Sequence, residues 1–425
     1  MNEKGSYSDV LVIGAGIAGI EASLLLSNSD RKVHLIEKTS YTGGTVIKFE
    51  EVFSNMECST CMVAPRQQEL LQDKNINLLT LAEVEDVKGS SGNFTVKVHK
   101  KARYVDMQNC IGCDACFEPC PVSLKNEFEE GLSERKAIYV PCAGALPNVP
   151  MIDTEHCIRF KGKDCKACQE ACMFEAIDFN QKDEQIELKV GAIIAATGFD
   201  AFDSKKVPKY GYGKIDDVYT AFEFERLYAS NGPTEGNITL KDGKAPKSAA
   251  IIHCVGRDQK GYCSSVCCMY SLKFNHYLKS KIPEIKISEF YTDLCIPGKS
   301  HQKFYEKMKE TGVNLVRVKE LEVEKQGNGM AVKYNNGNKK DSIQVDMVIL
   351  ASSIEPRDDT SKIAKVLGIS LDEYGFFKEE HPDVSSVTTS KPGVFIAGCV
   401  QGPKNIQNSV SQANAAVGKV LSLSK

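Results

Sequence analysis

Tryptophan is absent from the 425 residues, which excludes nothing by itself. Other scarcities exclude more. The clean apolar run Val190–Ala196 falls far short of the ~20 residues a membrane helix needs. Charge of one sign is not in excess: 53 Lys and Arg oppose 56 Asp and Glu, for a net charge of −3. No Lys/Arg cluster is long enough to override that balance, so a nucleic-acid groove is excluded as the main purpose of the surface. Met1–Ser6 has no apolar h-region, so no secretory signal is expected and the cytoplasm is the expected compartment. At 42% hydrophobic and 26% charged residues, disorder, collagen-like repeats and coiled coil are excluded as the dominant state. The length predicts about two to four domains.

What the sequence has in abundance is cysteine. There are 17, an odd number that cannot be fully paired within one chain. In a reducing compartment such thiols serve metal or redox work.

The first 40 residues read as strand, glycine turn, helix, strand. Asp9–Ile13 is apolar, Gly14-Ala-Gly16-Ile-Ala-Gly19 follows, Ile20–Leu26 has helical spacing, and Lys32–Ile36 is the next strand. Glu37 stands 18 residues after Gly19. In such a fingerprint the first glycine makes the tight turn, the second admits a pyrophosphate, and the third lets helix and strand pack closely. The N–H groups of Gly16, Ile17 and Ala18 would face a diphosphate, and Glu37 would accept from ribose hydroxyls. The bland alternative is a plain glycine turn.

Further strands are expected at Leu81–Val87, Phe94–Val98, Glu187–Ala196, Ala249–His253, Lys286–Tyr291, Val313–Val318, Val345–Leu350 and Val394–Ala397, with a hairpin joining Leu321–Lys325 to Met330–Tyr334. Helices are expected at Lys303–Lys309 and Ile406–Leu421, and Phe202–Gly243 reads as a polar excursion or linker. Residues 110–172 hold nine of the cysteines and are too irregular to continue a doubly wound sheet, so they read as an inserted small domain.

Cys110-x2-Cys113-x2-Cys116-x3-Cys120-Pro121 matches the bacterial ferredoxin run, and Cys157-x7-Cys165-x2-Cys168-x3-Cys172 is a second copy stretched in its first gap. Because the fourth cysteine of each run ligates the other cluster, Cys110, Cys113, Cys116 and Cys172 are assigned to one [4Fe–4S] and Cys120, Cys157, Cys165 and Cys168 to the other. A pair of zinc sites is the alternative. Cys142 fits neither set and reads as packing. A third group, Cys254-x8-Cys263-x3-Cys267-Cys268, lies between a strand and a helix starting near Ser265, where a second nucleotide fingerprint is missing. A helix N-terminus also suits an anionic cluster; a buried thiol group is the alternative. Cys58 and Cys61 read as a redox disulfide, with packing as the bland alternative. His156 and His253 each abut a ligand cysteine and read as packing or hydrogen-bonding residues.

The glycine block resembles the first half of the two-dinucleotide-binding, thioredoxin-reductase-like flavoprotein fold. Gly43-Gly44, Ala195-Ala196-Thr197-Gly198 and Gly393-Val-Phe-Ile-Ala-Gly398 resemble that family's further flavin motifs. The resemblance implies FAD, contacted also by Lys38, Gly43, Gly44, Val84, Ala196, Thr197 and Gly198. It places the Gly398 and Cys399 backbone at the ribityl phosphate and aims the helix from Ile406 at the isoalloxazine. Cys399 departs from that family, which has an acid there. The implied fold class is α/β: two-dinucleotide-binding, with an inserted ferredoxin-like 2[4Fe–4S] domain. The implied boundaries are 1–100, 184–245 and 345–425 for the FAD-binding domain, 101–183 for the insert and 246–344 for a region like an NAD domain that carries a cluster.

The third cysteine group resembles that of the heterodisulfide reductase A-subunit family, including its quinone-linked relatives. Phe53–Pro65, Arg135-Lys-Ala-Ile-Tyr139, Tyr210–Gly213, Phe222–Leu227, Gly368–His381 and Ala397–Ser411 carry the same likeness. It implies a third [4Fe–4S] beside the flavin, held by Cys254, Cys263, Cys267 and Cys268, and it implies that Cys58 and Cys61 are interface ligands of a shared cluster, the reading preferred here over a redox disulfide. It also implies an oxidoreductase component whose flavin takes electron pairs that leave singly through clusters. The implied partners are B- and C-type subunits, hydrogenase or dehydrogenase modules, and a second copy of this chain. Longer members carry additional N-terminal and C-terminal domains, for which no matching stretch is read here. Two other classes are a stand-alone dithiol reductase using Cys58 and Cys61, and a zinc-bearing assembly protein.

Overall fold

The computed structural model describes residues 7–336 and 339–423. Met1–Ser6 lie outside them. The chain forms two compact units, one of residues 7–47, 62–198 and 356–423, the other of 48–61 and 199–355.

The first unit is organised by Val10–Ile13, whose four residues are all buried. This strand pairs in parallel with Val33–Ile36 on one side and Ala192–Ala195 on the other. The sheet extends through Ile76–Leu79 at one edge and through Val394–Ile396, Ser385–Thr389 and Glu379–His381 at the other. Unbroken apolar strands of this kind need cover on both faces. Helix Ile17–Ser27 packs against helix Ile406–Ser422, and an antiparallel sheet of Ala82–Ser90, Asn93–Lys100 and Glu184–Val190 lies beside them in the chain.

One expected strand is divided. The apolar run 187–196 contributes Glu184–Val190 to the antiparallel sheet and Ala192–Ala195 to the parallel one. Gly191 makes the break: a side chain there would overlap the Tyr7 carbonyl oxygen.

The cysteine-rich insert has little regular structure. Two short ribbons, Leu124–Lys125 with Glu134–Arg135 and Ile138–Tyr139 with Met151–Ile152, and a Val105–Ile177 bridge hold it. Arg103 anchors it. The buried guanidinium donates to Val149 O (2.7 Å), Ser40 O (3.0 Å) and Thr80 Oγ1 (2.7 Å), and burial lowers its pKa to about 10. Arg103→Met strands three buried acceptors, so it is expected to cost about 3 kcal/mol in a denaturant titration.

The second unit repeats the plan. A five-stranded parallel sheet runs Val218–Thr220, Met347–Ser352, Ser248–Val255, Lys286–Tyr291, Asn314–Arg317. An antiparallel meander of Glu320–Gln326, Gly329–Asn336 and Lys339–Val345 follows. The segment 202–243 is therefore not a linker. It supplies a strand of this sheet and helix Ala221–Tyr228, which starts on a capping box between Thr220 and Glu223 and buries Phe224 and Leu227. The amphipathic spacing of Phe222–Leu227 was the available signal. The predicted limits at 245 and 344 shift accordingly, since 199–245 and 345–355 belong to this unit. Among the described residues, no helix is long and apolar enough to cross a membrane.

Candidate functional site

Four groups of predicted residues can be placed. The first is the glycine turn. Gly14 has φ +101°, and a side chain there would overlap the Ala196 carbonyl oxygen. A side chain at Gly19 would overlap the Gly14 carbonyl oxygen. Gly16 caps helix Ile17–Ser27 without any side-chain hydrogen bond, and it bridges Gly43 across the turn. Glu37 accepts from Ala15 N (2.7 Å), Thr39 N (2.8 Å) and Thr39 Oγ1 (2.9 Å), so it also holds the turn in shape. Thr197 Oγ1 is buried with no hydrogen-bond partner, and the space beside Gly198 is open. A buried, unpartnered hydroxyl beside a glycine-lined helix start is a place where a polar ligand atom fits.

The other residues expected at the flavin are engaged within the chain. Lys38 pairs with Asp359 (2.7 Å). Val84 is buried where the pairing of Ala82–Ser90 with Asn93–Lys100 slips by one residue. The Gly398 amide donates to Gln412 Oε1 (2.8 Å). Cys399 is buried and donates to Lys404 O (3.3 Å). The helix from Ile406 is capped by Asn405, whose side chain accepts from Asn408 N.

The second and third groups are in the insert. Cys120, Cys157, Cys165 and Cys168 line one pocket, walled by Pro121, Ile138, Ile152 and Phe179. Burial raises the Cys168 thiol to about 11, and repulsion from Cys157, Cys120 and Cys165 adds to this. Cys110 is raised by burial against the Gly112 amide, with Cys172 and Cys113 as its repelling neighbours. Burial lifts Cys116 to about 12, and it faces Cys168 from the other set as well as Cys110 and Cys172 from its own. The amides of Gly112 and Ala176 point at the sulfurs of Cys110 (3.5 Å) and Cys172 (3.4 Å). Cys142 is half-buried against the apolar core, and His156 pairs with Asp153 (3.0 Å). Among the described residues, no three His, Cys, Asp or Glu side chains stand close enough to grip one metal ion.

The fourth group lies in the second unit, at the C-terminal end of Ser248–Val255. Cys254 has φ +59°. Cys267 and Cys268 open helix Cys267–Lys281, which has no side-chain cap. Burial raises Cys267 to about 12, with Cys254, Cys268 and Cys263 among its repelling neighbours. Cys268 is held below its ordinary value: burial opposes this, but His253 and the Cys295 amide outweigh it. His253 is buried and bonded to Glu289 (2.7 Å), which also accepts from Asn275. Arg257 leans on Cys254 (4.0 Å). A side chain at Gly256 would meet the Phe202 ring at 2.5 Å.

Cys295 escaped the sequence reading. It follows Lys286–Tyr291, the parallel neighbour of the strand that carries Cys254. Parallel neighbours bring their C-terminal ends to one edge; a cysteine shortly after such a strand was the available signal. Cys58 and Cys61, for which interface ligation was preferred, are instead joined as a disulfide.

Residues 148–413 match the family described as pyridine nucleotide-disulphide oxidoreductase. The chain belongs to that family. Residues 12–62 match an NAD(P)-binding Rossmann-like domain, and the fold class is the one expected. In fold, the chain is similar to T. acidophilum thioredoxin reductase, with TM-score 0.54, 14% identity and 97% of each chain covered. In sequence, it is 41% identical over 420 residues to the iron-sulfur A-subunit of the CoB–CoM heterodisulfide reductase of Methanocaldococcus jannaschii, covering 96% of this chain and 63% of the relative. It is 38% identical over 426 residues to the A-subunit of the H(2):CoB-CoM heterodisulfide,ferredoxin reductase of Methanothermobacter marburgensis, covering 98% and 64%. The chain spans just under two thirds of the length of these curated relatives. The family likeness read from the motifs is thus met by relatives bearing that name.

Proposed function

We propose that this chain is the FAD- and iron–sulfur-bearing electron-transfer part of a heterodisulfide-reductase-like oxidoreductase, working with partner subunits of B and C type and as a pair of copies. The observation that carries the reading is the thiol group at the edge of the second sheet. Where a disulfide reductase of this fold would hold a pyridine nucleotide, Cys254, Cys263, Cys267 and Cys268 converge and Phe202 covers Gly256. FAD, when bound, exchanges electron pairs, and [4Fe–4S] clusters carry single electrons.

The chain's own residues bind, orient and tune. The amides of Gly16, Ile17 and Ala18, at a helix start without a side-chain cap, would take the diphosphate, Glu37 the ribose, and the unpartnered Thr197 hydroxyl a polar atom of the flavin. Cys110, Cys113, Cys116 and Cys172 would hold one cluster, Cys120, Cys157, Cys165 and Cys168 the second, and the Cys254 group the third. Burial keeps the Cys116, Cys168 and Cys267 thiols protonated, so loading releases protons. Amides directed at sulfur favour the more reduced cluster.

A second reading rests on the Cys58–Cys61 disulfide: a dithiol reductase that takes its electrons from the flavin. One preparation separates the readings. Chain purified without oxygen is expected to carry about twelve iron, about twelve sulfide and about one FAD, and NAD(P)H is expected to leave the flavin oxidised. Stoichiometric zinc without sulfide overturns the proposal; rapid bleaching by NAD(P)H favours the dithiol reductase.

A further inference from the structure

The third thiol group has five members for a cube's four corners. Cys254, Cys267 and Cys268 are fixed by their surroundings. Cys254 ends a central strand against Arg257. Cys267 and Cys268 stand in the first turn of a helix, their thiols directed at Ser352 O (3.8 Å) and Asp293 O (3.7 Å). Cys263 differs. It is exposed, it lies outside regular structure between Gly261 and the helix, and its sulfur accepts from Ser265 N at 3.4 Å. Cys295 is also outside regular structure, in the segment that follows Lys286–Tyr291. Its amide donates to Cys268 Sγ at 3.3 Å, and its thiol, raised first by burial, lies near enough to Cys263 and Cys268 for both to repel its charged form.

We propose that Cys295 is a reserve ligand of this site, exchanging with Cys263 at the exposed corner of the cube. The inference rests on the reading that a four-iron cluster binds here. Cys295 stands beside the Cys268 corner, and it and Cys263 both lie on backbone outside regular structure, so either thiol can be brought to the same iron while the other three corners stay put. The exchange balances without redox change. One Fe–S bond to Cys263 breaks and one to Cys295 forms. The proton of the incoming Cys295 thiol passes to the outgoing Cys263 thiolate. The two ligation states differ in solvent access and in the hydrogen bonds on sulfur, the quantities that set a cluster's potential.

The test uses the full chain, purified without oxygen, and alanine rather than serine, because a serine oxygen can itself ligate iron. Cys263→Ala and Cys295→Ala are each expected to keep about twelve iron and the reduced-cluster EPR signal of this site. The double variant is expected to lose that signal and at least one iron. Alkylation of iron-loaded wild type followed by mass spectrometry is expected to label both positions partially, summing to about one thiol per chain. If Cys263→Ala alone loses the signal as the double variant does, or if Cys295 is fully labelled while Cys263 is fully protected, the reserve role is wrong. A Cys267→Ala control distinguishes the deeper failure: unchanged iron and EPR in that variant would show that no cluster binds here at all.

Discussion

Lys273→Met is expected to cost about 3–5 kcal/mol, the largest stability loss predicted for this protein. Lys273 and Glu225 form an ion pair buried on both sides, in helices Cys267–Lys281 and Ala221–Tyr228. Burial pushes Glu225 up and Lys273 down, so each depends on the other to stay charged. Removing one partner strands a buried carboxylate, the costly case; replacing both with apolar residues is often close to neutral. The lysine also donates to Glu51 O (2.8 Å), and Tyr277 donates to the same oxygen (3.3 Å). The ribbon Glu51–Val52 with Glu57–Cys58, which leads into the disulfide, is thereby tied to the helix that begins at Cys267. Urea titration of Lys273→Met beside Lys273→Met/Glu225→Leu gives the check. The double variant is expected to recover most of the loss. A cost under about 1 kcal/mol for the single change would mean that the two charges do not depend on each other.

The second large effect separates binding from folding. An ideal side chain at Gly16 meets nothing nearer than Gly44 Cα at 3.9 Å, so Gly16→Ala is expected to fold normally. Its methyl nevertheless occupies the surface where a diphosphate would approach the helix start. FAD affinity is expected to fall about 100-fold, or about 2.7 kcal/mol, with the denaturation midpoint of the flavin-free chain unchanged. Gly19→Val is expected to lose both flavin and stability, because its side chain overlaps the Gly14 carbonyl. Flavin titration and denaturation of both variants would show it. Equal FAD affinity for Gly16→Ala and wild type would place the nucleotide elsewhere.

The contrast between these residues shows what a sequence can carry. The spacings Gly14–Gly16–Gly19 and Cys110–Cys113–Cys116–Cys120 were legible because each is the geometry of a single turn or loop, and such geometry is written in consecutive residues. The strand–turn–helix order followed from the same local periods, and the fold class from the likeness of these motifs to a known family. Residue order alone therefore determined the chemistry on offer: a nucleotide-binding turn and many thiols. Tertiary structure decided the rest. It cut the run 187–196 at Gly191, because Tyr7 passes close by. It drew 202–243 into a sheet, because Val218–Thr220 finds Met347–Ser352. It bonded Cys58 to Cys61, and it brought Cys295 to Cys263 and Cys268. Apart from the disulfide, each of these depends on which segments lie side by side. Parallel neighbours are joined by long crossovers, so residues that meet at one sheet edge stand tens of positions apart, and no local spacing records the meeting.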